Sequence, residues 1–149
     1  LKDRLSVKVV MIYDKLRELG IGKEIEEKLR IFPPCPDRGT MEILDTIRPF
    51  LKEEPETITE SQCCGLGGCA GQKESDLAVE MVKTAAAGGS VCTYCASCSG
   101  SFARKGFDQA DHILLKILGS TEKPDTGKSM INRMKTKYWQ GGIYGKEEK

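Results

Sequence analysis

At 149 residues the chain suits a single domain, one that buries roughly 68–70% of its unfolded surface. A hydrophobic fraction of 39% and a charged fraction of 30% are ordinary for a soluble globular protein, and a net charge of +1 gives no electrostatic reason to expect nucleic acid or an anionic membrane as a partner. No apolar run approaches the roughly 18 residues a membrane span needs and no signal-peptide pattern opens the chain, so the expected setting is cytoplasmic.

Taken in order, residues 5–20 place Leu5, Val9, Ile12, Leu16 and Leu19 at a 3-4-3-4 spacing. That spacing predicts one helix, with Gly20 and Gly22 as its stop. Residues 23–30 read as a short second helix, and 1–30 together as a helical lead. Because the chain opens at Leu1 rather than Met, it reads as a piece of a longer product. Ile31-Phe32 then forms a short strand that runs into Pro33-Pro34-Cys35-Pro36, where the prolines hold Cys35 on a rigid loop. Residues 40–51 predict a helix with Thr40 as N-cap and Pro49 cutting it short. Thr57-Ile58-Thr59 is β-branched and predicts a strand that delivers the chain to Cys63. A helix from Ser75 or Asp76 to Gly88-Gly89, a strand over 91–94, a helix over 97–105 and a last amphipathic helix over 110–118 complete the domain. In the tail, 121–149, residues 129–139 read as a basic helix. Tyr138, Trp139 and Tyr144 are available there to dock on the domain or on a partner, and the final residues are expected to be mobile.

Strand, loop and helix in alternation predict an α/β fold, a parallel sheet layered with helices. In such sheets the site lies outside the carboxyl ends of the strands. That rule matters here because of where the seven cysteines fall. Cys63, Cys64 and Cys69 sit in one glycine-rich loop, Cys92, Cys95 and Cys98 in a second, and Cys35 upstream. An odd number of clustered cysteines without an export signal points to metal binding or redox chemistry rather than to structural disulfides.

Thiolates select Zn(II), Cu(I) or iron–sulfur clusters. One zinc takes four ligands, and at least five cysteines converge by the topological argument, more than a single zinc requires. Glycines at 65, 67, 68, 71 and 100 let backbone N–H groups approach sulfur, and Cys95 and Cys98 at a helix start gain from the unpaired amides there. The spacing differs from that of a ferredoxin. Even so, Cys92, Cys95 and Cys98 stand three residues apart and allow a rival set, a cubane on these three plus Cys63 or Cys64. Neither a Ser-His-Asp set nor a nucleotide-binding glycine fingerprint is present.

Cys35, the Cys63-Cys64-Gly65 loop and Thr93-Tyr94-Cys95-Ala96-Ser97-Cys98 together resemble the cysteine-rich CCG domain. That domain is found in heterodisulfide reductase and in related proteins of lactate, glycerol-3-phosphate and succinate metabolism. The resemblance spans about residues 31–120, and Asp111-His112-Ile113-Leu114 is similar to the run that follows the family's last cysteines. It implies a Rossmann-like fold with the cluster at the C-terminal ends of the strands. It also implies a [4Fe-4S] cluster of non-cubane form, held by Cys35, Cys63, Cys64, Cys95 and Cys98. Aligning Thr93 with the threonine that commonly precedes the family's last pair selects Cys95 and Cys98 over Cys92. The implied activity is that of an oxidoreductase component passing electrons to a disulfide or another small substrate, with ferredoxin-type or flavoprotein subunits as partners. A non-catalytic electron-transfer module and a structural zinc or disulfide module stand as the alternatives. Phe32-Pro33-Pro34-Cys35 departs from the family's His-x-Pro-Cys, and the chain has room for one such domain where the reductase's cysteine-rich polypeptide has two. Cys69 and Cys92 read as thiols that pack or lie just outside the ligand set, and His112 as a residue that caps or packs a helix. Arg104 and Lys105 read as a solvated face, with the holding of an acidic substrate or partner as its alternative.

Overall fold

The computed structural model describes residues 8–123 and 125–137. Leu5, Pro124, Tyr138, Trp139, Tyr144 and the chain's last residues, on which some of the expectations above fall, lie outside the described residues.

Four short strands form one all-parallel sheet: β1 (Arg30–Phe32), β2 (Glu56–Thr57), β3 (Val91–Thr93) and β4 (Ala110–His112), in the order β2-β1-β3-β4. The register sets Ile31 beside both Thr57 and Cys92, and Thr93 beside both Phe32 and His112. Parallel strands need crossovers, and helices supply them. The helices are α1 (Ile12–Glu18), α2 (Glu42–Ile47), α3 (Gly68–Lys73), α4 (Ser75–Ala86), α5 (Ala96–Arg104), α6 (Ile113–Leu118) and α7 (Thr126–Lys137).

Side chains alternate across a strand, so neighbouring residues build two separate cores. On one face Ile31 and Cys92 pack with Tyr13 and Leu16 of α1, Leu44 and Ile47 of α2, and Ile113 and Ile117 of α6. On the other, Phe32 and Val91 pack with Val82 and Ala85 of α4 and with Cys98 and Phe102 of α5. Phe32 and Phe102 meet edge to face, with ring centroids 5.3 Å apart, a geometry worth about 0.5–1.5 kcal/mol beyond the area buried. The result is a three-layer α/β/α arrangement.

Several elements differ from expectation. The N-terminal helix covers 12–18 and stops where Gly20 takes φ +65°. Residues 23–30 form no helix. Ile25 is fixed in extended geometry by the Phe50 carbonyl (2.8 Å) and the Lys52 amide (3.0 Å), and with Leu29 it joins the core, so the lead packs as part of the domain. Thr40 is not the cap of α2. The carboxylate of Asp37 accepts from the amides of Ile43 (2.9 Å) and Leu44 (3.1 Å), and Met41 turns into the left-handed region at φ +56° to enter the helix. Pro49 does shorten α2, which tightens into a 3₁₀ turn over Arg48–Phe50. The glycine loop contains α3, and residues 110–118 divide into β4 and α6. Among the described residues no helix is long and apolar enough to cross a membrane.

Candidate metal centre

The sheet order places the site. The chain leaves β1 through α2 on one face and leaves β3 through α5 on the other, so the connections from these adjacent, paired strands diverge at their carboxyl ends. Such a divergence opens the crevice in which parallel α/β sheets bind ligands. The segments that follow β1, β2 and β3 carry Cys35, then Cys63 and Cys64, then Cys95 and Cys98. All five predicted residues therefore stand at one edge, brought there from three separate stretches of sequence.

Each is held differently. Cys35 is exposed on the turn after Pro33-Pro34, and its Sγ lies 3.9 Å from the Gln62 carbonyl, which puts it against the second cysteine loop. Partial burial and the nearby Cys63 and Cys64 raise the Cys35 thiol above its ordinary range. Half-buried Cys63 receives the Gly65 amide on its sulfur at 3.3 Å. Gly65 is required there. It adopts φ +64°, and a Cβ would stand 2.6 Å from the Cβ of Ala78, so any other residue would push α4 off the loop. The Cys64 side chain is buried, and its carbonyl accepts from Ser101 Oγ (2.7 Å) and Lys105 Nζ (3.3 Å). Cys95 is the N-cap of α5, with no side-chain capping hydrogen bond, and Cys98 lies in its first turn, where backbone amides lack helical partners.

The Cys64 and Cys98 thiols act as one unit. Hydrogen bonding from Cys98, helped by the Leu66 amide, Ser101 and Lys105 and opposed by burial, draws Cys64 down to about 6. The same contact, with burial and Cys95 adding to it, pushes Cys98 well up. The pair gives up its first proton readily and its second with difficulty.

Three ties between the loops were not foreseen from sequence. The Asp37 carboxylate accepts from Tyr94 Oη at 2.7 Å and joins the Cys35 turn to the end of β3. The Arg38 guanidinium lies 4.9 Å over the Phe32 ring and donates to the carbonyls of Pro33 (2.8 Å) and Ile58 (3.2 Å), linking the Cys35 turn to the segment leading to Cys63. Ser101 and Lys105, themselves 2.7 Å apart, tie α5 to Cys64. Lys105 is thus turned toward the cysteines rather than lying on a solvated face. Thr93 adds a fourth anchor: its buried hydroxyl donates to the Phe32 carbonyl (3.0 Å) and accepts from the Cys95 amide (3.4 Å).

Cys92 faces the other way. It is 3% exposed in the opposite core, and burial pushes its thiol up to about 12, which suits packing rather than ligation. Cys69 falls in α3. His112 caps α6 by accepting the Leu114 amide at Nδ1 (3.3 Å).

The donor set is soft and its described cysteines are free, which is the chemistry a thiolate-held metal group needs. Among the described residues, no three His, Cys, Asp or Glu side chains stand together closely enough to hold a single ion. The thiols influence one another in pairs instead: Cys63 raises Cys35, and Cys98 is coupled to Cys64 and raised by Cys95. Comparison with protein-family models, with curated proteins and with solved structures gives no match.

Proposed function

We propose that the chain is an iron–sulfur redox domain of the CCG type. On this reading it is a subunit or fragment of a heterodisulfide reductase-like oxidoreductase that passes electrons to a disulfide or another small substrate. The observation that supports the reading is the position of five free cysteines in the segments that follow the carboxyl ends of β1, β2 and β3, with Cys92 in the opposite core. Four thiolates around one zinc, at about 2.3 Å from the metal, lie about 3.8 Å from one another. Five cysteines at three strand ends exceed the four that such a zinc takes, which favours a polynuclear group whose irons each take a sulfur. Cys35, Cys63, Cys64, Cys95 and Cys98 would hold a [4Fe-4S] group, and five ligands on four irons suit its non-cubane form.

Bound there, the cluster would take up and release single electrons. The chain's own residues do the rest. The Gly65 amide donates to the Cys63 sulfur, and the Lys105 ammonium adds a positive charge beside Cys64. These donors offset anionic charge and raise the potential. The exposed position of Cys35, at the rim, leaves one ligand within reach of a small sulfur-containing substrate and of a ferredoxin-type or flavoprotein partner.

The test is the iron and acid-labile sulfide content of protein purified without oxygen. About four of each per chain are expected, with loss in Cys63→Ser and Cys64→Ser. About one zinc without sulfide would overturn the redox reading and leave a structural module. Full loading of Cys35→Ser with loss in Cys92→Ser would instead establish the cubane on Cys92, Cys95 and Cys98.

A further inference from the structure

The near-neutral charge of the chain conceals a segregated one. Within α7 stand Lys128, Arg133, Lys135 and Lys137 and no acidic residue, so the net +1 divides into +4 on this helix and −3 elsewhere. The described side chains of α7 are all exposed, and Met130, Ile131 and Met134 leave 62%, 51% and 56% of their surface in water. At 3.6 residues per turn these three share an arc of about 100°. Lys128 and Lys135 border that arc beside Ile131, and Arg133 borders it beside Met130. Ser129, Asn132 and Thr136, all uncharged, occupy the opposite side. A helix of twelve residues that buries none of its described side chains is marginal in water, so this one gains most of its stability from whatever covers it.

We propose that α7 docks the domain on an anionic lipid surface. An apolar stripe with cations along both margins and no charge opposite them fits a flat layer, apolar inside and negative at its boundary. The three side chains dip into such a layer while the Lys and Arg stems reach its headgroups. A groove in an acidic protein would need its acids placed one by one against these cations, whereas a bilayer offers them everywhere. The −3 of the remaining chain is repelled by the same surface, which confines contact to the helix. Tyr138 and Trp139, the next residues in sequence, are of the types enriched at membrane interfaces. The inference is independent of what the cysteines hold.

The experiment is co-sedimentation of the full chain with vesicles of phosphatidylserine and phosphatidylcholine, and with vesicles of phosphatidylcholine alone. Binding is expected to the mixed vesicles only. It should fall as salt rises from 0.1 to 1 M and the screening length shrinks from about 10 to about 3 Å. Each cation at such a surface is worth about a fivefold factor, so a variant carrying Lys128→Gln, Arg133→Gln and Lys135→Gln should partition about a hundredfold less. Met130→Ser with Met134→Ser tests the apolar stripe separately. Circular dichroism and an unchanged thermal midpoint would show that both variants are folded. Equal binding to neutral vesicles, no binding to either, or wild-type binding by the charge variant would each overturn the proposal. So would self-association abolished by the same substitutions, or retention by polyglutamate but not by vesicles, which would assign the helix to a second copy or to a protein groove.

Discussion

Replacement of Asp37 should damage the site without removing a cysteine. Asp37 is 2% exposed, and its carboxylate serves three donors, the amides of Ile43 and Leu44 and the hydroxyl of Tyr94. Burial and the carboxylate both keep the proton on Tyr94, so the hydroxyl remains a donor. In Asp37→Ala the helix loses its cap, at about 1 kcal/mol, and a buried hydroxyl is left without an acceptor, at about 1–3 kcal/mol. A total of about 3 kcal/mol in a chain of this length lowers the thermal midpoint by about 10 °C. Tyr94→Phe alone removes one bond and costs about 1 kcal/mol. The decisive assay is a double-mutant cycle followed by urea unfolding of cluster-free, reduced protein. With Asp37 already Ala, Tyr94→Phe removes the unpaired hydroxyl and should restore about 1–3 kcal/mol, giving a coupling of about 2–4 kcal/mol. Additive effects within about 0.3 kcal/mol would refute the tie between the Cys35 turn and β3. The same cycle read by iron content connects the tie to the site, since loosening it lets the two cysteine segments drift apart.

Other expectations follow from single contacts. Cys92→Ala should cost about 1 kcal/mol through a small cavity in the core beneath β3 and leave iron content unchanged, whereas loss of iron would return Cys92 to the ligand set. Lys105→Met should shift the reduction potential of the loaded protein downward, because a positive charge beside Cys64 is gone, and Lys105→Arg should restore it in part; an unmoved potential in the Met variant would deny Lys105 any electrostatic part. In cluster-free, reduced protein the Cys64–Cys98 pair should make stability depend on pH. Between about 6 and the ordinary thiol value of 9.0 the folded pair holds fewer protons than the unfolded chain, so stability rises with pH, and it is lost as pH falls through 6. Above 9.0 the folded Cys98 keeps a proton that the unfolded chain releases, so stability falls again. Cys98→Ser should flatten the rise, measured as the urea midpoint across that range.

Much of this was legible because it is local. The β-branched run at 57–59, the proline pair before Cys35 and the glycine pair at 88–89 act on neighbouring backbone, and the strand–helix alternation they produce carries the cysteines to one edge. What escaped depends on partners far along the chain. Ala110–His112 is polar at its centre and runs straight into Ile-Leu-Leu, so it reads as the start of a helix and becomes a strand only by pairing with β3. Residues 23–30 have helical composition, but the Phe50 carbonyl claims Ile25. Two glycines in six residues hide α3. Asp37 caps α2 from outside the usual N-cap spacing, and it holds Tyr94 across 57 positions. Ser101 holds the Cys64 carbonyl across 37. The thiols were readable by type, but the side chains that position them were not, because Asp, Arg and Ser at such distances carry no periodic signal.

The sheet order also has a consequence for how the protein is made. β1 lies between β2 and β3, and Cys95 is synthesised 60 residues after Cys35. At about 5–20 residues per second the ribosome therefore exposes Cys35, Cys63 and Cys64 for several seconds before the strand that completes their crevice emerges. During that interval the nascent chain offers three thiols with no shelter, open to stray copper or zinc and to oxidation. On the proposed reading, loading with iron and sulfide would be confined to the time after β3 has joined β1, and the emergence of that strand would decide which metal the crevice takes.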